Sequence, residues 1–237
     1  MMTDIIKKQF LSKYQDTGLM FLMSLGGFIF GKLLLTAILF FDRSTNTYFP
    51  LAATISGVMI LIYAGLNGVA FLCYYFRFQI PMGITRKQFL VSYYIVSFAE
   101  IAIGFLITLF LCWVDNKTNA YLYPAFSSEA DILPWILKYG MPLAAGIMLA
   151  GILAGTIILK FGRKAGWTLW AIWMIGCFTL PRLMDAAPHS PAYKVRTAIQ
   201  HFIQLFPSFI WVGAAAAAMI LCVIISWLLL RKQQVNS

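Results

Sequence analysis

The chain alternates between long apolar runs and short polar connections. The runs are Leu19–Phe41, Leu51–Phe76, Leu90–Val114, Trp135–Leu159, Trp167–Met184 and Phe209–Leu230. A bilayer core about 30 Å thick takes roughly 20 helical residues to cross. Five of the runs meet that length, and the fifth in order, Trp167–Met184, is short. The pattern predicts an all-α membrane protein with six transmembrane helices, spanning about 19–41, 51–76, 90–114, 135–159, 167–184 and 209–230.

Two further segments carry helical periodicity without being apolar all round. In residues 3–16, Ile6, Phe10 and Tyr14 recur every fourth position with Leu11 beside them. Lys7, Lys8 and Gln15 fall away from that stripe, and Lys13 falls close to it. This predicts an N-terminal interfacial helix, with a plain basic tail as the alternative. In residues 191–206, Val195, Ile199, Phe202 and Phe206 follow helical spacing, widened by Ala198 and Ile203. Lys194, Arg196, Gln200 and His201 occupy much of the rest. Ser190 suits the N-cap, Pro191 the first turn, and Pro207 stops the helix. An outer amphipathic helix between spans five and six is the expectation.

Composition agrees with a membrane solvent. Hydrophobic residues make up 61% of the chain and charged residues 11%, with a mean hydropathy of +0.82. Soluble domains carry about 25% charged residues. The connections are too short to bury a core of their own, so residues 1–237 read as one transmembrane domain. Cys73, Cys112, Cys177 and Cys222 all lie inside apolar runs and form no CxxC pair, which argues against disulfide and zinc chemistry. Lys7, Lys8 and Lys13 precede the first run, but it is too long for a signal peptide and no A-x-A site follows, so a retained helix is expected.

The formal charge of +10 points to the membrane and not to nucleic acid. Lys7, Lys8, Lys13, Arg77, Arg86, Lys87, Lys160, Arg163, Lys164, Arg231 and Lys232 fall on one side. Arg43, Lys117, Lys138, Arg182, Lys194 and Arg196 fall on the other, as do Asp42, Asp115, Glu129, Asp131 and Asp185. Cytoplasmic connections collect Lys and Arg, so both termini and the second and fourth connections are expected in the cytoplasm. Tyr48, Phe49, Tyr121, Tyr123, Trp135, Tyr139, Trp167 and Trp211 cluster near the predicted boundaries, as interfacial belts do.

Charged residues deep in a span default to a functional hypothesis. Two qualify, Lys32 and Glu100. Glu100 lies about 15 Å into the third span and Asn67 at nearly the same depth in the second, so the two can share a hydrogen bond. Lys32 lies further out and reaches either Glu100 or the far surface. Lys32, Asn67 and Glu100 therefore form a candidate intramembrane polar site. It either lines a substrate path or holds helices together. Gly27–Gly31 and Gly151–Gly155 are GxxxG pairs for close packing, between two copies or within one. No segment repeats another as in inverted-repeat carriers. No GxSxG, HExxH or GxxxxGK[ST] motif occurs, and His189 and His201 both lie in the outer connection, so no catalytic group is assigned.

The second connection reads Arg77-Phe78-Gln79-Ile80-Pro81-Met82-Gly83-Ile84-Thr85-Arg86-Lys87-Gln88-Phe89. Pro81 and Gly83 break the second span, Thr85 caps the third, and Arg86 and Lys87 project at the membrane face. An ordinary basic turn would look much the same. With this stretch and its six-span pattern, the chain resembles the permease subunits of the type-two family of bacterial ABC exporters. The resemblance implies a coupling helix between spans two and three. Arg77, Gln79, Pro81, Met82, Gly83, Thr85, Arg86 and Lys87 would then contact a cytoplasmic ATPase subunit.

It further implies two ATPase copies, a second permease (identical or related), and a location in the bacterial cytoplasmic membrane. ATP and Mg would bind in the partner, so this chain would be no enzyme by itself. The apolar spans fit an amphipathic cargo such as a lipid, a drug or an antimicrobial peptide. The alternative is a membrane immunity or sensor protein that binds a peptide at its outer surface and transports nothing.

Overall fold

A bilayer core offers no water to satisfy backbone N–H and C=O groups, which leaves helices as the open-ended solution. The computed structural model is helical almost throughout. It describes residues 2–41, 47–80, 84–124, 126–128, 131–184, 187, 190–204 and 208–231. Pro81, Met82, Gly83, Asp42, Arg43, Glu129, Asp185, His189, Phe206, Pro207 and Lys232 lie outside the described residues.

Helix α1 (Met2–Ser12) passes through a turn at Lys13 into α2 (Tyr14–Phe41). Next comes α3 (Leu51–Leu66), a π-helical turn (Asn67–Phe71) and α4 (Leu72–Gln79), together one continuous rod. The longest helix is α5 (Arg86–Leu122), with 37 residues. At about 55 Å it outruns a bilayer core by several turns. A short α6 (Leu133–Trp135) and a second π-helical turn (Ile136–Gly140) lead into α7 (Met141–Phe161). The chain finishes with α8 (Arg163–Met184), α9 (Pro191–Gln204) and α10 (Ser208–Arg231). Two-residue strands β1 (Thr47–Tyr48) and β2 (Ser127–Ser128) pair in parallel, Thr47 with Ser127 and Tyr48 with Ser128.

Among the described residues, five helical rods are long and apolar enough to cross a membrane: Tyr14–Phe41, Leu51–Arg77, Arg86–Leu122, Leu133–Phe161 and Ile210–Arg231. The chain is thus a multi-pass membrane protein. The segment expected as the fifth span is a continuous helix, α8, but it is not among these five. Trp167, Trp170, Trp173, Thr168, Thr179 and Arg182 dilute its apolar character.

Helices α2, α3, α5 and α7 form the packed centre. Helix α2 runs parallel to α5: Met20 lies against Gly104, and the Thr36 and Tyr123 hydroxyls meet at 2.7 Å. Antiparallel α3 fits between them, with Ser24 and Ser56 bonded at 2.7 Å. Both GxxxG pairs pack within the one chain. A Cβ on Gly31 would lie 2.5 Å from the Ala52 Cα, and one on Gly155 would lie 2.6 Å from the Gly68 carbonyl oxygen. Missing side chains there let whole backbones approach. By contrast, only 6% of the apolar window of α10 is buried, so this helix is exposed along most of its length.

Gly68→Ala tests one of the two closest crossings. A Cβ there would meet the Gly151 carbonyl carbon and the Ile152 nitrogen at 2.5 Å. Backbone cannot rotate away as a side chain does, so a loss of at least about 1–3 kcal/mol is expected. Thermal unfolding in detergent reads this as a lowered Tm or as loss of monodisperse protein. Gly213→Ala, where nothing lies within 4 Å, should not lower the Tm.

Candidate functional site

The N-terminal helix presents two stripes, and the polar one turns inward. Phe10, Leu11 and Tyr14 are exposed, whereas Gln9 and Lys13 are buried against α5. The Ser92 hydroxyl donates to Gln9 Oε1. Lys13 Nζ forms an ion pair with Glu100 Oε2 at 2.7 Å, and both side chains have 0% exposure. It also donates to Asn67 Oδ1 at 3.0 Å and Ser97 Oγ at 3.2 Å, and lies 4.4 Å from the Tyr93 ring centroid. The ammonium thus has all three of its N–H donors placed.

Glu100 is equally enclosed. Asn67 Nδ2 donates to Oε2 at 2.8 Å and Thr17 Oγ1 to Oε1 at 3.4 Å. The π-helical turn explains why Asn67 reaches it. There the Leu72 N–H bonds five residues back, to the Asn67 carbonyl, which re-aims the side chain relative to a regular helix. Tyr93 OH donates to both the carbonyl (2.5 Å) and Oδ1 (2.8 Å) of Asn67. Tyr63 OH, close by, is buried without a hydrogen-bond partner among the described residues. Tyr75 OH donates to Asp16 Oδ2 at 2.8 Å and to the Ser12 carbonyl at 3.1 Å, tying the turn around Lys13 to α4.

Lys32 belongs elsewhere. Of the expected trio, Asn67 and Glu100 meet, but Lys32 pairs with Asp115 Oδ1 at 2.6 Å. It also donates to Thr118 Oγ1 at 2.6 Å and Asn119 Oδ1 at 2.5 Å. Asp115 Oδ2 accepts from the Ala53 N–H at 3.0 Å. That amide is in the first turn of α3, whose N-cap is Pro50 with no side-chain bond. A carboxylate from another helix therefore caps α3 and complements its dipole.

Sequence reasoning missed Lys13 and Asp115 as members of these clusters. The signal for the first is a polar i, i+4 stripe, Gln9–Lys13–Thr17. For the second it is the Asp115–Asn119 pair at the same spacing.

The residues expected to contact an ATPase divide into three groups. Arg77 is exposed and lines a shallow cleft with Cys73, Tyr74 and Ile158. Gln79 is buried, and its Oε1 has no hydrogen-bond partner among the described residues. Thr85 caps α5 in a full capping box with Gln88, and Arg86 and Lys87 follow at the first turn. Behind them Phe76 and Phe89 pack edge to face at 5.5 Å, and Phe89 lies 5.5 Å from Tyr93. An aromatic ladder thus runs from the α4–α5 junction to Asn67 and Lys13. At the opposite side of α3, an apolar cleft of about 320 Å³ is lined by Gly57, Leu61, Phe105, Thr108, Trp135 and Leu143, among others. Lys13, Lys32, Asn67 and Glu100 do not line it.

Each cluster pairs one cation with one anion, so both are formally neutral. Glu100 is engaged at both oxygens and fully buried, an arrangement suited to holding α1, α3 and α5 together. Comparison with protein-family models, curated proteins and solved structures finds no match for this chain.

The buried pair makes a sharp double-mutant cycle. Lys13→Met leaves Glu100 without its cation, and Glu100→Gln leaves Lys13 without its anion. Each single change should cost about 3–5 kcal/mol, while Lys13→Met/Glu100→Gln together should recover most of that loss. Denaturation in detergent measures all four corners. Additive losses would show that the two side chains do not act as a pair.

Proposed function

We propose that the chain is the membrane permease subunit of an ABC exporter of the type-two family. In this proposal the chain makes six spans, α8 being the fifth, with both termini in the cytoplasm of a bacterium. A separate ATPase, in two copies, binds ATP and Mg and supplies the work. A second permease, identical or related, completes the path for an amphipathic cargo.

The α4–α5 junction is the observation that carries this proposal. Arg77 and Lys87 are exposed there, Arg86 half so, and the capping box fixes where α5 begins. A rigid, cationic helix start suits docking against an acidic cleft. The aromatic ladder behind it supplies a packed route inward. A push at Phe89 reaches Tyr93, then Asn67, and from there the Lys13–Glu100 pair that holds α1. The apolar cleft beside α3 and the exposed apolar faces of α2 and α8 suit a lipid-like or amphipathic cargo better than an ion.

Co-purification tests this. Expressed from its native operon, the chain should retain a P-loop ATPase in mild detergent. Charge reversal by Arg77→Glu with Lys87→Glu should weaken retention roughly thirtyfold or more, as loss of close interfacial charge pairs does. Transport should fall with it. A chain that retains no ATPase and transports nothing would leave the non-transporting peptide-binding alternative, and one that transports normally with both charges reversed would overturn the ATPase contact at this junction.

A further inference from the structure

The end of α10 meets the start of α5 in a small pocket that the ATPase contact does not explain. Arg86, Lys87, Leu90, Trp227, Leu230 and Arg231 line a space of about 170 Å³. Leu90 and Leu230 are each 2% exposed and form an apolar floor. Arg86 Nη1 donates to the Arg231 carbonyl at 3.4 Å, so this arginine also satisfies an open carbonyl at the end of α10. Lys87 Nζ stands 6.0 Å from the Trp227 ring centroid. Three cations therefore share one rim, and no carboxylate lies among the lining residues. Along the sequence, no acidic residue lies between Asp42 and Glu100 or after Asp185.

Like charges gathered without a counterion repel one another unless an anion joins them. Surroundings identify the anion. Helix α10 is an apolar, span-length helix with almost none of its apolar window buried, so the pocket opens where lipid ends and headgroups begin. One helical turn deeper on the same α5–α10 seam, Tyr94 OH and Ser226 Oγ lie near each other. Both atoms are buried. A cationic rim, an apolar floor and an indole at the edge match an amphiphile with an anionic head.

We propose that this pocket holds the phosphate of an anionic phospholipid, its acyl chains lying along the α5–α10 seam. Basic pockets between transmembrane helices bind such headgroups. The proposal rests on the same cytoplasmic orientation as the function above, but not on the ATPase contact. Arg231 and Trp227 belong to the lipid pocket alone, and Arg77 to the ATPase contact alone.

The test is native mass spectrometry of the full chain, delipidated in detergent and titrated with phosphatidylglycerol or phosphatidylcholine. Phosphatidylglycerol should bind in preference. Arg231→Gln and Arg86→Gln should each weaken it roughly fivefold, the effect of about one surface cation. Size-exclusion profiles establish that each variant is folded, and Lys87→Gln replaces either one that is not. Arg231→Gln should still retain the ATPase, and Arg77→Glu should still bind the lipid. Equal binding of the two lipids, unchanged binding in all of these variants, or full displacement by millimolar inorganic phosphate would overturn the proposal. Lost ATPase retention with unchanged lipid binding in Arg231→Gln would assign the pocket to the protein partner instead.

Discussion

A lysine and a glutamate with no exposed surface must act as each other's solvent. Removing each ion from water costs several kcal/mol, and only close geometry with further hydrogen bonds offsets this. The Lys13–Glu100 pair meets that condition through Asn67, Ser97, Thr17 and the face of Tyr93. Much of the fold can be traced to this requirement. Helix α1 must pack along α5 to deliver the ammonium. The second rod passes through a π-helical turn where it delivers the amide. Exposing the apolar stripe of α1 costs little where the surroundings are lipid.

Close packing of the helices makes that geometry attainable. Gly27 and Gly31 bring α2 onto α3, and Gly68, Gly151 and Gly155 bring the second rod onto α7. Lys32–Asp115 clamps the opposite end of the same α2–α5 pair, while Asp115 caps α3. One long helix thus carries both carboxylates and the chain's first forty residues carry both cations. Two neutral clamps set the register of the helices without leaving net charge in the interior.

The α4–α5 junction sits at the end of this clamped bundle, and Phe76, Phe89 and Tyr93 connect it to the network. The basic side chains there divide between two surroundings. Arg77 lies toward α7, and Arg86 and Lys87 lie toward α10. A protein partner and a lipid headgroup can both recognise such a surface: Arg86 and Lys87 face both, while Arg77 and Arg231 tell the two apart.

Hydropathy alone determined that this chain is helical and membrane-embedded, because apolar runs of spanning length leave the backbone no other open-ended solution. Depth along each rod also made the Asn67–Glu100 bond legible, since rise per residue is nearly constant. The partner of Glu100 was not legible. Lys13 lies outside any apolar run, so its sequence surroundings read as interfacial, and only the packing of α1 along α5 places it in the interior. Lys32 was legible as costly but not as the partner of Asp115, because a flexible four-carbon stem can reach up or down. The π-helical turns left no trace in the periodicity, and the GxxxG pairs did not reveal which helix they face. Sequence sets solvent, length and depth. Rotation of each helix about its own axis is set by which side chains must meet, and only the tertiary structure decides that.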